Sequence, residues 1–448
     1  MSKVCLVSLG CAKNLIDSEQ MLSLLDDAGF ELTDDPAEAD AAIVNTCAFI
    51  ESAKTEAIEN ILSLAELKKT GSLKKLIVTG CLAQRYGEEL LREMPEIDGL
   101  VGTGSVSEII NAINNAAPGA APEAKPQYYG DINAPLDEEG RVISTGPGWA
   151  YIKIAEGCSN RCAYCVIPSI RGKYRSRPME NIISEARALA DTGIKELIVV
   201  AQDPTLYGVD LYRERKLSEL VRKLCAIDGI EWVRLHYLYP DAVDDELIDT
   251  IATEPKVLKY LDIPIQHINN GILKAMRRRG TGDDIRALFI KLRQRIPGVV
   301  LRTSVITGLP GEGEAEFEEL CEFLREARIE RAGVFPFSPE EGTDAYDMPH
   351  VDADEAARRA QLIGEIQEKV MEEYNASRLG STVRVLCEGF DSDVGLYAGR
   401  SFAESPDVDG YIYFGPPTEC QAGEFYDVII RGDLDGDLAG EVVTAERA

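Results

Sequence analysis

The sequence predicts an α/β chain of several domains: an open parallel α/β sheet first, a partial (βα)6 TIM-type barrel next, and a small β-barrel last. Up to about residue 375, short apolar runs alternate with helical stretches, as in parallel sheets. From residue 381 onward, short β-type runs alternate with turns rich in Gly, Asp and Pro. A chain of 448 residues has room for two to four such domains.

The first domain is expected to span residues 1–115. Apolar runs of the kind found in buried parallel strands lie at 4–8, 42–45 and 76–79. Amphipathic helices are predicted at 17–28 and 84–94, the latter ending before a proline. The following stretch, 116–148, is rich in Pro, Gly and Ala and is predicted to be a linker.

The second domain is expected at residues 149–378. Its six strand candidates are 151–155, 196–201, 232–237, 258–263, 299–305 and 333–337. Helical stretches separate them, and six alternating βα units favour the partial barrel. A polar helix at 352–378 closes the domain before Gly380. The third domain, 381–448, has β-type runs at 382–386, 410–414 and 426–430.

Charge and cysteine content limit the function. The chain has 77 acidic and 47 basic residues, a net charge of −30, which disfavours nucleic acid as the main substrate. No 18-residue apolar stretch or signal-peptide core is present, so we expect no membrane association. The 11 cysteines, an odd number scattered along the chain, indicate a reducing compartment and a cytoplasmic location.

Three cysteines lie close together in the segment Glu156-Gly-Cys-Ser-Asn-Arg-Cys-Ala-Tyr-Cys-Val166. These loop cysteines are Cys158, Cys162 and Cys165. A closed zinc site needs four ligands, and a simple electron-transfer iron–sulfur cluster usually has four cysteines. Three thiolates would instead leave one iron of a four-iron cluster open to bind a substrate or cofactor. The alternative is a zinc site completed by His or Asp, but no His lies near the segment.

A second set of cysteines is spread over the first domain. These strand cysteines, Cys11, Cys47 and Cys81, each follow a predicted parallel strand at intervals of about one βα unit. Ligands of open α/β sheets bind beyond the carboxyl ends of the strands. We therefore predict that the three thiols converge on a second cluster site. The alternative is three ordinary buried cysteines.

The loop cysteines, with the aromatic Tyr164, resemble the signature of radical S-adenosylmethionine (SAM) enzymes. Over nearly its whole length the chain resembles the methylthiotransferase family, and within it the RimO type. The segments that carry the resemblance are Ser8-Leu-Gly-Cys-Ala-Lys-Asn-Leu-Ile-Asp-Ser18, Tyr151–Cys158, Ile167–Arg177, Ala201–Asp203 with Tyr207-Gly208, Leu261–His267 and Gly399–Ser405. Ala12 stands where the pattern favours Pro, and Pro204 where it favours a hydroxyl residue. Neither departure removes a cysteine.

The resemblance implies a radical-SAM methylthiotransferase with an N-terminal cluster domain, a radical-SAM barrel and a C-terminal TRAM domain. It implies two 4Fe-4S clusters, one per cysteine set, and SAM. The reaction inserts CH3–S at the β-carbon of an aspartate in small-subunit ribosomal protein twelve. Homolysis of an unactivated C–H bond is cofactor chemistry, so no side chain is assigned as catalytic. The implied partners are this basic ribosomal protein, an electron-donor protein and a sulfur donor.

Four residues are expected to bind SAM. Tyr164 occupies the aromatic position near adenine in the superfamily, and Gly308 lies in a Gly-Leu-Pro-Gly turn that resembles a SAM-contacting turn. Arg302 and Gln202 lie near the carboxyl ends of predicted strands, where catalytic groups cluster in such barrels. An ordinary βα turn is the alternative for Gly308, and loop packing for Tyr164.

Two other functions remain open at this point. One is the same chemistry on an adenosine of transfer RNA, although that branch tends to carry Gly-Cys-Gln-Met-Asn where this chain has Gly10-Cys-Ala-Lys-Asn14. The other is a non-catalytic iron–sulfur protein that binds RNA. Basic runs at 171–177 and 277–279 are compatible with RNA binding or with solvated surface charge.

Overall fold

The structure is a computed structural model that describes residues 2–136, 140–415, 419–434 and 436–443. The chain forms two compact units. The first comprises Met1–Ser144, Ala155–Arg177 and Ser338–Tyr346, and the second comprises Thr145–Ile154, Pro178–Phe337 and Asp347–Ala448. Both cysteine sets therefore belong to the first unit. No helix among the described residues is long and apolar enough to cross a membrane.

The first unit is built on a parallel sheet in the order β2-β1-β3-β4-β5-β6. The strands are β1 (Lys3–Ser8), β2 (Glu31–Leu32), β3 (Ala41–Thr46), β4 (Lys75–Gly80), β5 (Gly99–Val101) and β6 (Gln127–Tyr128). The helices are α1 (Ala12–Asp27), α2 (Glu51–Thr70), α3 (Cys81–Glu93) and α4 (Ile109–Asn115). β3 is buried at every residue, along its apolar run 41–44 and also at Asn45 and Thr46.

Two details of the first unit differ from expectation. Helix α1 begins at Ala12, five residues before the predicted start, because the polar side chains of its first turns are buried rather than solvated. Residues 116–136 and 140–144, part of the stretch 116–148 predicted to be a linker, also pack on the sheet unit: they supply β6, and Glu19 of α1 accepts hydrogen bonds from Arg141 and from Ser144.

The chain then crosses into the second unit for β7 (Trp149–Lys153) and returns with a short hairpin, β8 (Ala155–Glu156) and β9 (Arg175–Ser176), on either side of α5 (Ile167–Arg171). The loop cysteines lie between β8 and α5. In the second unit β7 is the edge of a six-stranded parallel sheet in the order β14-β13-β12-β11-β10-β7. This sheet confirms the six predicted strands of the open barrel.

The remaining strands of that sheet are β10 (Glu196–Val200), β11 (Trp232–Leu235), β12 (Val257–Asp262), β13 (Val300–Thr307) and β14 (Arg331–Pro336). The helices between and after them are α6 (Met179–Asp191), α7 (Val209–Tyr212), α8 (Leu217–Cys225), α9 (Asp245–Thr253), α10 (Asn270–Ala275), α11 (Gly282–Arg295), α12 (Glu314–Ala327) and α13 (Ala353–Ser377).

The tail folds as the predicted small β-barrel. It is a closed barrel of β15 (Thr382–Asp391), β16 (Leu396–Arg400), β17 (Ile412–Gly415), β18 (Phe425–Leu434) and β19 (Asp437–Val442). Buried ion pairs fasten it to the parallel sheet: Glu196 at the start of β10 lies 3.0 Å from Arg400 of the tail, and Arg331 of β14 lies 3.3 Å from Glu404 of the tail. The tail and the sheet are thus parts of one unit.

Candidate metal centre

The parallel sheet of the first unit brings the strand cysteines to one edge. β1, β3 and β4 are neighbours, with Ser8 opposite Asn45 and Thr46 opposite Gly80. Cys47 directly follows β3, and Cys81 directly follows β4 and is the first residue of α3. Cys11 is the N-cap of α1. The three thiols therefore lie at equivalent ends of adjacent strands, as the spacing predicts.

Two glycines make room for these thiols. Gly10 has φ +90°, and a Cβ there would lie 2.7 Å from the Cβ of Cys47 and 3.2 Å from its Sγ. Gly80 has φ +89°, and a Cβ there would lie 2.6 Å from the carbonyl oxygen of Thr46. Both positions combine a left-handed backbone with close approach, which only glycine tolerates. The turns that carry the cysteines depend on them.

Asn14, which is fully buried, connects the three cysteine-bearing turns. Its side-chain amide donates to the carbonyl oxygens of Leu9 (3.0 Å) and Thr46 (2.9 Å). Its Oδ1 accepts a hydrogen bond from the Sγ of Cys81 at 3.6 Å. Leu9 lies two residues before Cys11, and Thr46 directly precedes Cys47. One amide side chain thus fixes the relative positions of all three turns.

Arg171, 3 % exposed, brings a positive charge to the same place. Its guanidinium donates to Asp17 Oδ2 (2.9 Å), to Glu156 Oε2 (2.9 Å) and to Asn14 Oδ1. Burial alone would lower the pKa of Arg171, but the two carboxylates outweigh burial and hold it well above its ordinary value. Arg171 is therefore charged.

The three thiols differ in acidity. Burial would raise the pKa of Cys11, yet the charges of Lys13 and Arg171 and two backbone N–H groups bring it below its ordinary value. Burial, followed by the negative charge of Cys11, raises the pKa of Cys47. Burial raises the pKa of Cys81 to about 12, although Arg171 opposes it. The negative charge of Cys11 contributes to the raised pKa of both Cys47 and Cys81.

The loop cysteines are held by local backbone bonds. The N–H of Cys158 donates to the carbonyl oxygen of Gly172 (3.0 Å), and the N–H of Cys165 donates to that of Cys162 (3.1 Å). Ala345, from the segment 338–346, donates its N–H to the carbonyl oxygen of Ala163 (2.8 Å). All three loop cysteines are half-buried, and so is Tyr164 between them.

The donor sets fit iron–sulfur clusters better than single ions. In the described part of the chain, no group of three or more His, Cys, Asp or Glu side chains could hold one metal ion. A four-iron cluster differs, because each cysteine binds a separate iron atom. Each set offers thiols only, and at the strand cysteines a buried cation opposes their negative charge. These are features of cluster sites.

The other expected SAM ligands lie in the second unit. Gly308 directly follows β13, has φ +74°, and donates its N–H to Glu312 Oε1 at 2.9 Å. Gln202 lies two residues beyond the end of β10 and is half-buried. Arg302 is the third residue of β13 and so lies near the amino end of the strand, not near its carboxyl end as predicted; it is paired with Asp262 Oδ1 at 2.7 Å. The carboxylate that Arg302 binds in this structure is therefore the side chain of Asp262.

Asn14, Asp17 and Arg171 are not among the site residues that the sequence predicts. Asn14 and Asp17 lie three and six residues after Cys11, a spacing that indicates a polar face of α1 near the cysteine. Arg171 belongs to a basic run in the sequence, and its burial beside two carboxylates depends on tertiary packing.

Comparison with known proteins agrees with this architecture. Residues 3–102 match the family described as Uncharacterized protein family UPF0004, residues 152–324 the Radical SAM superfamily, and residues 379–443 the TRAM domain. The radical SAM methyltransferase TsrM from Kitasatospora setae, solved with cobalamin and a [4Fe-4S] cluster, has a similar fold, with a TM-score of 0.58, 18% identity and 77% of each chain covered. The fold and the loop cysteines therefore define a radical-SAM enzyme.

Two relatives identify the family. The ribosomal protein uS12 methylthiotransferase RimO of Lachnoclostridium phytofermentans is 48% identical over 98% of this chain and 99% of its own length. The protein of the same name from Clostridioides difficile is 46% identical over 99% of each chain. The chain therefore belongs to the RimO family of radical-SAM methylthiotransferases, as the sequence motifs predict.

Proposed function

We propose that this protein attaches a methylthio group to ribosomal protein uS12, at the β-carbon of an aspartate as in the family it resembles. The observation that carries the proposal is the 48% identity with a uS12 methylthiotransferase over 98% of the chain. The two cysteine sets also support the proposal, because each set offers three thiols to one cluster.

We propose one 4Fe-4S cluster on the loop cysteines and another on the strand cysteines. When bound, the clusters and SAM would supply the C–H homolysis, the sulfur and the methyl group, which side chains cannot supply. The chain's own part is to hold three thiolates at each site and leave a coordination position open. At the strand cysteines, Lys13 and Arg171 favour the thiolate that binds iron.

For SAM binding we propose Tyr164, Gln202, Arg302 and Gly308. The Tyr164 ring offers an aromatic face, and the Gln202 amide can donate and accept. At Gly308 the N–H already bonds to Glu312, so its contribution is the absence of a side chain. Arg302 would bind the SAM carboxylate only if its guanidinium released Asp262 or bound both carboxylates at once.

The chemistry also requires two partners. Reductive cleavage of SAM consumes an electron, so we propose an electron-donor protein. The product gains a sulfur atom, so we propose a sulfur donor. We also propose a cytoplasmic location, which a ribosomal substrate would support.

The basic runs give transfer RNA little support as the substrate. Arg171 and Arg177 are buried, and Arg171 is bound to carboxylates. The guanidinium carbons of Arg278 and Arg279 lie 4.0 and 4.7 Å from the centre of the Tyr239 ring, and Arg279 also pairs with Asp241 at 3.0 Å. Arg171, Arg177 and Arg278 are therefore engaged within the protein, whereas Lys173, Arg277 and Arg279 remain exposed.

The test is mass spectrometry of ribosomal proteins and of transfer RNA from cells that lack the gene. We expect uS12 to lose its CH3–S increment and to regain it when wild-type protein is restored, but not when Cys11, Cys47 and Cys81 are changed to Ala. An unchanged uS12, with the increment missing from transfer RNA, would reverse the choice of substrate.

A further inference from the structure

Arg171 lies between the two cysteine sets and bonds to the surroundings of both. One Nη donates to Glu156, two residues before Cys158. The other donates to Asp17 and Asn14 on α1, the helix that Cys11 caps. All these residues belong to the first unit. A single buried side chain therefore joins the loop that begins at Cys158 to the turns of the strand cysteines.

The charge of Arg171 lies next to the strand cysteines. Its guanidinium and the Sγ of Cys81 both donate to Oδ1 of Asn14. By this bond Arg171 also helps to hold the side-chain amide of Asn14, which connects the turns of Leu9, Thr46 and Cys81. In a buried site such a charge is only weakly screened by solvent.

We propose that Arg171 is a positioning residue for the cluster on the strand cysteines and that its charge raises the reduction potential of that cluster. The inference rests on the proposed function, since it requires a cluster at this site. Reduction adds negative charge to a cluster, and a buried cation beside the ligands stabilises the reduced form. Asp17, bonded to the same guanidinium, has the opposite effect.

The experiment uses full-length protein in which Cys158, Cys162 and Cys165 are Ala, so that iron binds at the strand cysteines alone. Iron content is measured by elemental analysis. The midpoint potential of the cluster is measured by a redox titration that is followed by electron paramagnetic resonance. We expect Arg171→Gln to shift the potential to more negative values and Asp17→Asn to shift it to more positive values. Arg171→Lys should restore much of the wild-type potential.

Opposite shifts are a readout that a merely structural role does not produce. Arg92→Gln is the matched control, because Arg92 is exposed and pairs with its neighbour Glu93; it should leave the potential unchanged. Shifts of the same sign for Arg171→Gln and Asp17→Asn, or no shift in either, would overturn the inference.

Arg171→Gln leaves two buried carboxylates without their cation and can fail to fold. In that case Asp17→Asn decides, because Arg171 keeps Glu156 as a partner: a positive shift supports the inference, and an unchanged or negative shift overturns it. Absence of iron from the protein with the loop cysteines removed would instead contradict the proposed function, and the inference would fail with it.

Discussion

The two cysteine sets are built in different ways. The loop cysteines lie within eight residues of one another, on one loop whose backbone also bonds to Gly172 and Ala345. The strand cysteines come from three separate turns and are placed by a parallel sheet, two close glycine contacts and the buried side chain of Asn14. The first set is already close together in sequence, and the second is brought together only by the tertiary fold. Perturbations should therefore affect the two sets unequally.

The largest effect is expected from removing the loop cysteines. Changing Cys158, Cys162 and Cys165 to Ala should abolish SAM cleavage and leave roughly four irons per chain, the content of one cluster. Iron analysis and chromatography of 5′-deoxyadenosine check both expectations. Iron that stayed at the wild-type value would contradict the assignment of a cluster to this loop.

Removing the strand cysteines should separate the two functions. With Cys11, Cys47 and Cys81 changed to Ala, we expect SAM cleavage to persist and methylthio insertion into a uS12 peptide to be lost. The reason is that the loop cysteines are held by bonds of their own. Loss of SAM cleavage in a protein that retains roughly four irons would show that the sets are not independent.

The same contrast explains what the sequence could predict. The loop cysteines follow from spacing alone, and the strand cysteines follow from their common position after predicted strands. The early start of α1 at Ala12 could not be predicted, because the burial of the polar residues Lys13 and Asn14 is seen only in the fold. Nor could the pairing of Arg302 with Asp262 or the burial of Arg171, since both depend on residues far apart in sequence.

A single methyl group at Gly10 should disturb the strand cysteines selectively. In Gly10→Ala the new Cβ would meet Cys47, so we expect reconstituted protein to lose up to roughly four irons while SAM cleavage continues. Gly29→Ala is the matched control: Gly29 has φ +82°, but nothing lies within 4 Å of its Cβ position. Both changes carry a left-handed backbone cost of about 1 kcal/mol. Equal iron content in the two variants would argue against the close-contact explanation.

Thiol reactivity should differ within the strand set of the iron-free protein. The pKa of Cys11 lies below its ordinary value and that of Cys81 is raised to about 12, so near pH 8 Cys11 has the larger thiolate fraction. We expect iodoacetamide to modify Cys11 at least about tenfold faster than Cys81. As pH rises toward 12, the difference between the modification rates of Cys11 and Cys81 should narrow. Peptide mapping by mass spectrometry checks this, and the rates should become similar in urea.

The smallest effect is expected from substitutions in the tail. They should change the affinity for the substrate and leave both cysteine sets intact. Residues 381–448 contain fourteen acidic and four basic residues and no lysine. Of the basic residues, Arg384, Arg400 and Arg431 each pair with a carboxylate, and Arg447 lies outside the described residues. The described part of the barrel therefore offers no unpaired arginine to phosphates and many carboxylates to a basic protein.

We test this in the full-length chain, because buried ion pairs join the tail to the parallel sheet. Changing the exposed Asp393, Asp427 and Asp433 to Asn should weaken uS12 binding by about threefold to tenfold, and less at high salt. Asp435, also expected to contribute, lies outside the described residues. A control with equal charge change, Glu56, Glu59 and Glu89 to Gln on α2 and α3, should bind normally. Equal weakening in both would mean that overall charge, rather than the barrel surface, attracts the ribosomal protein.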